Sequence, residues 1–145
     1  MIAFGANTAW SFLIDKVKIK DKDTILINGA SGSPGSAAIQ IAKKQKAFVT
    51  AVCSKENFKF VKSLGADEVI FYKESDFTKL DQKYNFIMDV MGNLNFSQVK
   101  NSLSENGKLI LVSADLPQMI YCFYNNLINK KKIIVGVAVE NKGKL

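Results

Sequence analysis

Histidine and arginine are absent from this chain of 145 residues, and proline and cysteine occur only twice each. Without histidine, and with Cys53 and Cys122 far apart in apolar surroundings, the sequence predicts no zinc or other metal site. Neither a disulfide framework nor a secretory signal peptide is recognisable, so we expect a reducing, cytoplasmic environment. No apolar run approaches the roughly 20 residues of a membrane span, which predicts no association with a membrane.

All twenty basic residues are lysines, and the formal net charge is +7. A basic chain suggests nucleic acid as a partner, but these lysines are scattered in ones and twos, apart from Lys130, Lys131 and Lys132. They are not interleaved with aromatic residues, so we predict no nucleic-acid binding. A modestly basic surface also suits an anionic nucleotide.

Short apolar runs alternate with amphipathic segments along the whole chain, which predicts one α/β domain over residues 1–145. The predicted strands are 23–28, 47–53, 68–72, 84–90, 108–113 and 132–139, and the predicted helices are 7–17, 34–46, 55–64, 96–103 and 119–128. Residues 75–80 are expected to form a short helix or loop, and Asn106-Gly107 a turn. This alternation predicts a three-layer Rossmann fold, with a six-stranded parallel sheet in the order 3-2-1-4-5-6 and helices on both faces.

A glycine-rich loop follows the first predicted strand and leads into a helix, as in dinucleotide-binding proteins. Gly32 suits a position where a side chain would block the ligand, and Gly35 would let the helix lie close to the strand. Ser33 is the candidate N-cap, and Pro34 occupies the first helical position. Backbone N–H groups at this helix terminus can hold a pyrophosphate. The predicted contacts of the loop come from Ala30, Ser31, Gly32, Ser33, Pro34 and Gly35.

The end of the second predicted strand lacks the acidic residue that commonly holds the ribose of NAD. Cys53 stands there, followed by Ser54 and Lys55, and a hydroxyl with an ammonium attracts a 2′-phosphate that a carboxylate would repel. Tyr72, at the end of the third strand, is a further candidate for the same phosphate. The sequence therefore favours NADP(H) over NAD(H). The simpler alternative is that Ser54 only caps a helix and that Lys55 is only a solvated side chain.

Other functions of a glycine-rich loop are less well supported. A P-loop needs Lys and Ser or Thr after its last glycine, but Ser36 and Ala37 follow Gly35. None of the tyrosines has a lysine four residues later, as short-chain dehydrogenases do, and Cys53 fails the acidic requirement of most methyltransferases. Asp89 is interpreted as a structural or ribose-contacting residue, and both cysteines as buried and unreactive. No catalytic residue is assigned.

These segments together resemble the medium-chain dehydrogenase/reductase superfamily, on the zinc-free quinone oxidoreductase side. The resemblance rests on four runs of sequence, which keep the family's order and spacing over nearly the whole chain. They are residues 5–10, 26–43, 63–70 and 84–93. Two departures stand out, because Pro34 replaces a small residue with an N–H near the pyrophosphate, and Phe71 replaces the usual Asp or Asn before the tyrosine.

The resemblance implies a coenzyme domain, with a bridging helix at about 7–17 and a nucleotide-binding core at about 23–140. It implies that Ser54, Lys55 and Tyr72 hold the 2′-phosphate, and that Asp89, Val90 and Ser113 lie along the ribose and nicotinamide. It further implies reduction of quinones or enones only together with a separate catalytic domain, and a homodimer through strand 132–139. The alternative is a module without catalytic activity that binds a nucleotide or dimerises.

Overall fold

Six parallel strands form one sheet in the order β3-β2-β1-β4-β5-β6, which confirms the predicted fold. The computed structural model describes residues 9–92, 94, 96–112 and 132–135. The strands are β1 Thr24–Asn28, β2 Phe48–Cys53, β3 Glu68–Phe71, β4 Tyr84–Asp89, β5 Leu103–Leu111 and β6 Lys132–Val135. The helix predicted at 119–128 and the end of the sixth predicted strand lie outside the described residues.

The central strand β1 is buried on both faces, because helices cover both sides of the sheet. Ile25 and Ile27 belong to one hydrophobic cluster, and Leu26 between them belongs to a second. The first cluster takes in residues of the helix after β1, and the second takes in Val99 of a helix further along the chain. Alternate side chains of one strand thus reach opposite layers, which explains its uninterrupted apolar sequence.

The helices begin or end less regularly than their apolar spacing predicts. The α-helices are α1 Ser33–Lys44, α2 Phe58–Ser63 and α3 Phe96–Val99, and a π-helix spans Ser11–Lys16. The predicted helices 55–64 and 96–103 each contain a 3₁₀ turn, at Lys55–Asn57 and Lys100–Ser102. In the first case a local turn, in which Asn57 N–H donates to the Ser54 carbonyl at 3.0 Å, replaces the α-helical pattern. Among the described helices, none is long and apolar enough to cross a membrane.

The fifth strand starts earlier than predicted and contains the Asn106-Gly107 pair that we expected to precede it. Tyr84 of β4 lies opposite Leu103, whereas Phe86 lies opposite Lys108, so β5 has extra residues at this point. A Cβ atom on Gly107 would lie 3.0 Å from the Leu103 Cβ, which shows how tightly this bulge folds back. The Asn106-Gly107 pair predicted a tight bend, and the bend is present but lies within the strand.

The carboxyl end of α1 is tied to the starts of β2 and β3 by one ion pair. Lys43 Nζ lies 2.8 Å from Asp67 Oδ2, and it also donates to the Ala47 carbonyl at 3.0 Å. The same carboxylate oxygen accepts from Val49 N–H at 2.9 Å. Burial opposes ionisation of Asp67, but hydrogen bonds from Lys43 and Val49 outweigh it and lower the pKa of this carboxyl.

Replacing Lys46 by glycine should stabilise the domain, because Lys46, two residues after the end of α1, has a φ of 66°. Its N–H donates to the Lys43 carbonyl and Ala47 N–H donates to the Ala42 carbonyl, which is a Schellman cap that favours glycine. We expect the free energy of unfolding to rise by about 0.5–1 kcal/mol, measured by urea denaturation. The control Lys44→Gly, within the helix, should lower it by about the same amount. A destabilised Lys46→Gly variant would contradict this account of the cap.

Candidate functional site

A cavity of about 220 Å³ opens at the carboxyl ends of β1 and β2. The chain leaves β1 toward β2 on one side, while β4 pairs with β1 on the other, so the strand order reverses here. Ligands of doubly wound sheets bind in the crevice at such a reversal. The cavity is lined by Asn28, Gly29, Ser31, Val52, Cys53, Ser54, Asn57, Tyr72 and Met91.

The glycine-rich loop forms one wall of this cavity and is anchored to the adjacent strand. Gly29 has a φ of 89°, which turns the chain sharply after β1. The N–H groups of Gly29 and Ala30 both donate to the Val52 carbonyl, at 3.1 and 3.2 Å. Gly32 N–H then donates to the Gly29 carbonyl at 3.2 Å and closes the turn. The loop is therefore held in one shape by its own backbone.

The two later glycines have different roles, as the sequence predicts. A Cβ atom on Gly35 would lie 2.3 Å from the Gly29 carbonyl oxygen, so the helix can approach the loop only with glycine there. A Cβ atom on Gly32 would lie 3.5 Å from the same oxygen, which is an ordinary contact. The protein itself thus tolerates a side chain at Gly32. The exposed space beside Gly32 fits the close approach of a ligand.

The start of α1 differs from the prediction at its cap. Gly32, not Ser33, is the N-cap residue, and it makes no side-chain hydrogen bond to the helix because it has no side chain. Pro34 is therefore the second helical residue and not, as we predicted, the first, and it contributes no N–H group. The first turn of α1 therefore carries the positive end of the helix dipole. It offers one backbone N–H donor fewer than a helix N-terminus usually does.

The other wall of the cavity is formed where β2 and β3 end. Cys53 is buried, and burial raises the pKa of its thiol, which opposes formation of the thiolate. Ser54 Oγ accepts from Asn57 Nδ2 at 3.0 Å, which leaves the hydroxyl hydrogen able to donate. Tyr72 N–H donates to the Cys53 carbonyl at 3.3 Å, and half of the Tyr72 side chain is exposed. Two hydroxyl-bearing residues, Ser54 and Tyr72, thus line this wall of the cavity.

Lys55 does not line the cavity. Its Nζ lies 3.0 Å from Glu74 Oε2, in an ion pair whose side chains are 72% and 55% exposed. The same ammonium lies 5.9 Å from the centre of the Phe71 ring. Lys55 is therefore near the predicted 2′-phosphate position in sequence, but it is held on the side of the loop that follows β3.

Asp89 has a structural role in the end of β4. Its side chain is buried, and Oδ1 accepts from Asn28 Nδ2 at 3.1 Å and from Gly92 N–H at 2.9 Å. The second oxygen accepts from Leu94 N–H at 3.0 Å. The carboxylate thus fixes the loop after β4 against the end of β1. Val90, next to it, approaches the loop and would lie 4.0 Å from a Cβ atom on Gly32.

Four of the predicted site residues, Ser31, Cys53, Ser54 and Tyr72, line the cavity together. Ala30 is fully buried under the loop, and Gly35 is buried against it, so both shape the site without facing it. Ser113 lies outside the described residues. Sequence reasoning did not find Asn28, Gly29, Val52, Asn57 or Met91. The signal that the sequence offered for these residues was their position close to the end of a strand.

Comparison with known proteins shows the family of this chain. The family model described as zinc-binding dehydrogenase matches residues 35–144, which is most of the chain. The chain belongs to this family. Within it, the match is to the coenzyme-binding domain of the medium-chain dehydrogenase/reductase superfamily, as the resemblance implied.

Relatives from plants and animals support the quinone oxidoreductase side of the superfamily. The chloroplast envelope quinone oxidoreductase homolog of Arabidopsis thaliana is 38% identical over 118 residues, which covers 78% of this chain and 36% of that protein. The mitochondrial NAD(P)H oxidoreductase RTN4IP1 of Homo sapiens is 40% identical over 98 residues, covering 63% of this chain and 25% of that protein. The chain spans 36–45% of the length of the plant relatives that it matches.

Solved structures share the fold of this zinc-binding dehydrogenase family member. The quinone oxidoreductase from Coxiella burnetii superposes with a TM-score of 0.75 over 100% of this chain and 46% of that one. At 24% identity, this likeness concerns the fold alone. The strand order is thus that of a known fold.

The predicted cytoplasmic location is wrong. The plant relatives are named as chloroplast proteins and the mammalian relative as a mitochondrial one, which contradicts this prediction. The prediction failed because the lack of disulfides and of a secretory signal separates reducing from oxidising compartments, and it does not separate the cytosol from an organelle interior.

The family model's description names zinc, but the described part of the chain offers no set of zinc ligands. Its sequence has no histidine. Within the part of the chain that the structure describes, no group of three or more cysteine and acidic side chains is arranged to hold a metal. The expectation that this chain lacks zinc stays a prediction.

Proposed function

We propose that this chain is the NADP(H)-binding domain of a zinc-independent quinone or enone oxidoreductase. The observation that carries the proposal is the cavity between the glycine-rich loop and the ends of β2 and β3. Its loop side is lined by Gly29 and Ser31, next to the exposed Gly32, and its far side is lined by Ser54 and Tyr72, with Cys53 and not a carboxylate at the end of β2. This arrangement suits a pyrophosphate at the loop and an adenosine with a 2′-phosphate at the far end.

A bound nicotinamide would supply the hydride, and this domain would bind and orient it. The relatives named as quinone oxidoreductases and as an NAD(P)H oxidoreductase support this assignment of substrate class and cofactor. We propose that residues outside these 145 contribute the quinone or enone contacts, so the domain alone binds cofactor without turnover. We also propose a homodimer through β6, because β6 is the last strand of the described sheet.

A second candidate is a module that keeps the fold without useful affinity for a dinucleotide. Pro34 favours it, because the proline removes one N–H group from the helix turn that would face the pyrophosphate. A charge-assisted hydrogen bond of this kind contributes roughly 1.5–3 kcal/mol. Titration of the chain with NADPH and NADH, followed by nucleotide fluorescence, separates the candidates. Tighter binding of NADPH supports the reductase domain, and a folded chain that binds neither supports the second candidate.

Lys55→Gln should weaken NADPH binding about tenfold and leave NADH binding unchanged, because the ammonium would contact the 2′-phosphate that NADH lacks. Isothermal titration with both nucleotides measures the two affinities. The matched control is Lys59→Gln, an exposed lysine one helical turn further along. Equal loss of NADPH affinity in both variants would mean that general charge, and not Lys55 itself, attracts the phosphate.

A further inference from the structure

The ion pair between Lys55 and Glu74 lies beside the mouth of the candidate site and has no part in the function proposed so far. Glu74 stands in the turn that follows β3, where its N–H donates to the Phe71 carbonyl at 2.9 Å. Ser75 N–H donates to the same carbonyl at 3.0 Å. These two bonds fix the turn and bring the Glu74 carboxylate to 3.0 Å from the Lys55 ammonium.

Phe71 adds a second contact that holds Lys55 on the same side. The ammonium lies 5.9 Å from the centre of the Phe71 ring, within the distance of a cation–π interaction. Phe58 packs against that ring edge to face, with the ring centres 5.8 Å apart. The position of the Lys55 side chain is thus set jointly by a carboxylate and by a supported aromatic ring.

This arrangement has a consequence for a 2′-phosphate. Lys55 is the basic residue closest in sequence to the end of β2, and its charge is already compensated by Glu74. A phosphate must therefore take Lys55 from the carboxylate or share it, and it meets like charge from Glu74 in both cases. A nucleotide with a free 2′-hydroxyl has no such conflict. Because the pair is exposed, its strength is modest, and a phosphate can displace it at the cost of part of its own affinity.

We propose that Glu74 is a specificity-determining residue, which reduces the preference of this site for NADP(H) over NAD(H) by holding Lys55 away from the 2′-phosphate. The proposal rests on the proposed function, since it concerns the same nucleotide site. It assigns Glu74 to the discrimination between two phosphorylation states of the adenosine ribose. The chain then binds both nucleotides with more similar affinities than Ser54, Lys55 and Tyr72 alone would give.

The test is Glu74→Gln in the complete chain, with affinities for NADPH and NADH measured by titration at low salt. We expect NADPH affinity to rise three- to tenfold, with NADH affinity unchanged. The control Asp81→Asn removes the same charge from an exposed residue just before β4, at the amino ends of the strands and not at the carboxyl ends where the cavity lies. In a Lys55→Gln background, Glu74→Gln should have a smaller effect on NADPH, because the two side chains act together.

An unchanged ratio of NADPH to NADH affinity in Glu74→Gln would overturn the role of Glu74 while leaving the nucleotide site intact. An equal gain in Asp81→Asn would also overturn it, because net charge would then be the cause. If neither wild type nor Glu74→Gln binds either nucleotide while thermal unfolding shows a folded chain, the proposed function fails, and the role of Glu74 with it.

Discussion

Replacing Gly35 by alanine should lower the free energy of unfolding by about 3 kcal/mol or more. The new Cβ atom would lie 2.3 Å from the Gly29 carbonyl oxygen and 2.9 Å from the Ala30 Cα, both of which are backbone atoms. No rotamer change relieves such a contact, so α1 must move away from the loop, at a cost at or above the usual range for overpacking. Urea denaturation and a fall in Tm of roughly 10 °C measure the effect.

The control for this prediction is the same substitution three residues earlier. Gly32 has a φ of −76° and a ψ of 175°, which alanine adopts readily, and its Cβ would make an ordinary contact. Gly32→Ala should therefore change stability by less than about 1 kcal/mol. Its effect should appear instead in NADPH binding, because the methyl group fills the space beside the loop. Similar stability losses in the two variants would contradict the separate roles of these glycines.

Replacing Asp89 by alanine should destabilise the domain by about 3–5 kcal/mol, because three hydrogen bonds to a buried carboxylate would be lost. The N–H groups of Gly92 and Leu94 would lose their acceptor, and the loop after β4 would lose its attachment to Asn28. Urea denaturation measures the loss. Asp89→Asn should fall between wild type and Asp89→Ala, since the amide carbonyl keeps one acceptor oxygen while the amide –NH₂ opposes an N–H donor.

Asp76→Ala provides the matched comparison for Asp89. Asp76 is exposed and accepts hydrogen bonds from the Thr78 N–H and hydroxyl, at 2.9 and 2.6 Å. Asp76 caps the 3₁₀ turn Phe77–Lys79, so its loss should cost about 1 kcal/mol, the usual value of an N-cap. If Asp89→Ala proved no more damaging than Asp76→Ala, the carboxylate of Asp89 would not be the structural anchor of its loop. A ribose contact would then become the better account of this residue.

The fold was readable from the sequence because its determinants are local. The run Ile25-Leu26-Ile27 needs two covered faces, and the apolar spacing from Ala38 to Ala42 places a helix on one of them. The position of Gly35 at the end of the loop was sufficient to predict the close contact of helix and loop. The predicted boundaries were wrong where tertiary contacts override local preference. β5 continues through Asn106-Gly107 because Leu103 before this pair and residues 108–111 after it all pair with β4, and residues 108–111 also pair with β6.

The site was only partly readable, for a related reason. Cys53, Ser54 and Tyr72 follow strand ends, and strand ends of a parallel sheet meet at one edge, so their convergence was predictable. The partner of Lys55 is Glu74, which is distant in sequence and reaches it through the turn after β3. No pattern along the chain joins those two residues. The burial of Asp89 likewise depends on Asn28 from another strand.

The shared acceptor at Val52 links the two ends of the candidate site mechanically. Its carbonyl receives the N–H groups of both Gly29 and Ala30, and Val52 directly precedes Cys53 and Ser54. The glycine-rich loop and the end of β2 are therefore joined by backbone hydrogen bonds. Under the proposed function, a dinucleotide that binds at the loop meets the end of β2 already in place, so its second contact requires no further ordering of the chain. The two ends would then act as a preorganised chelate, and the free energies of contacts at either end would accumulate in one affinity.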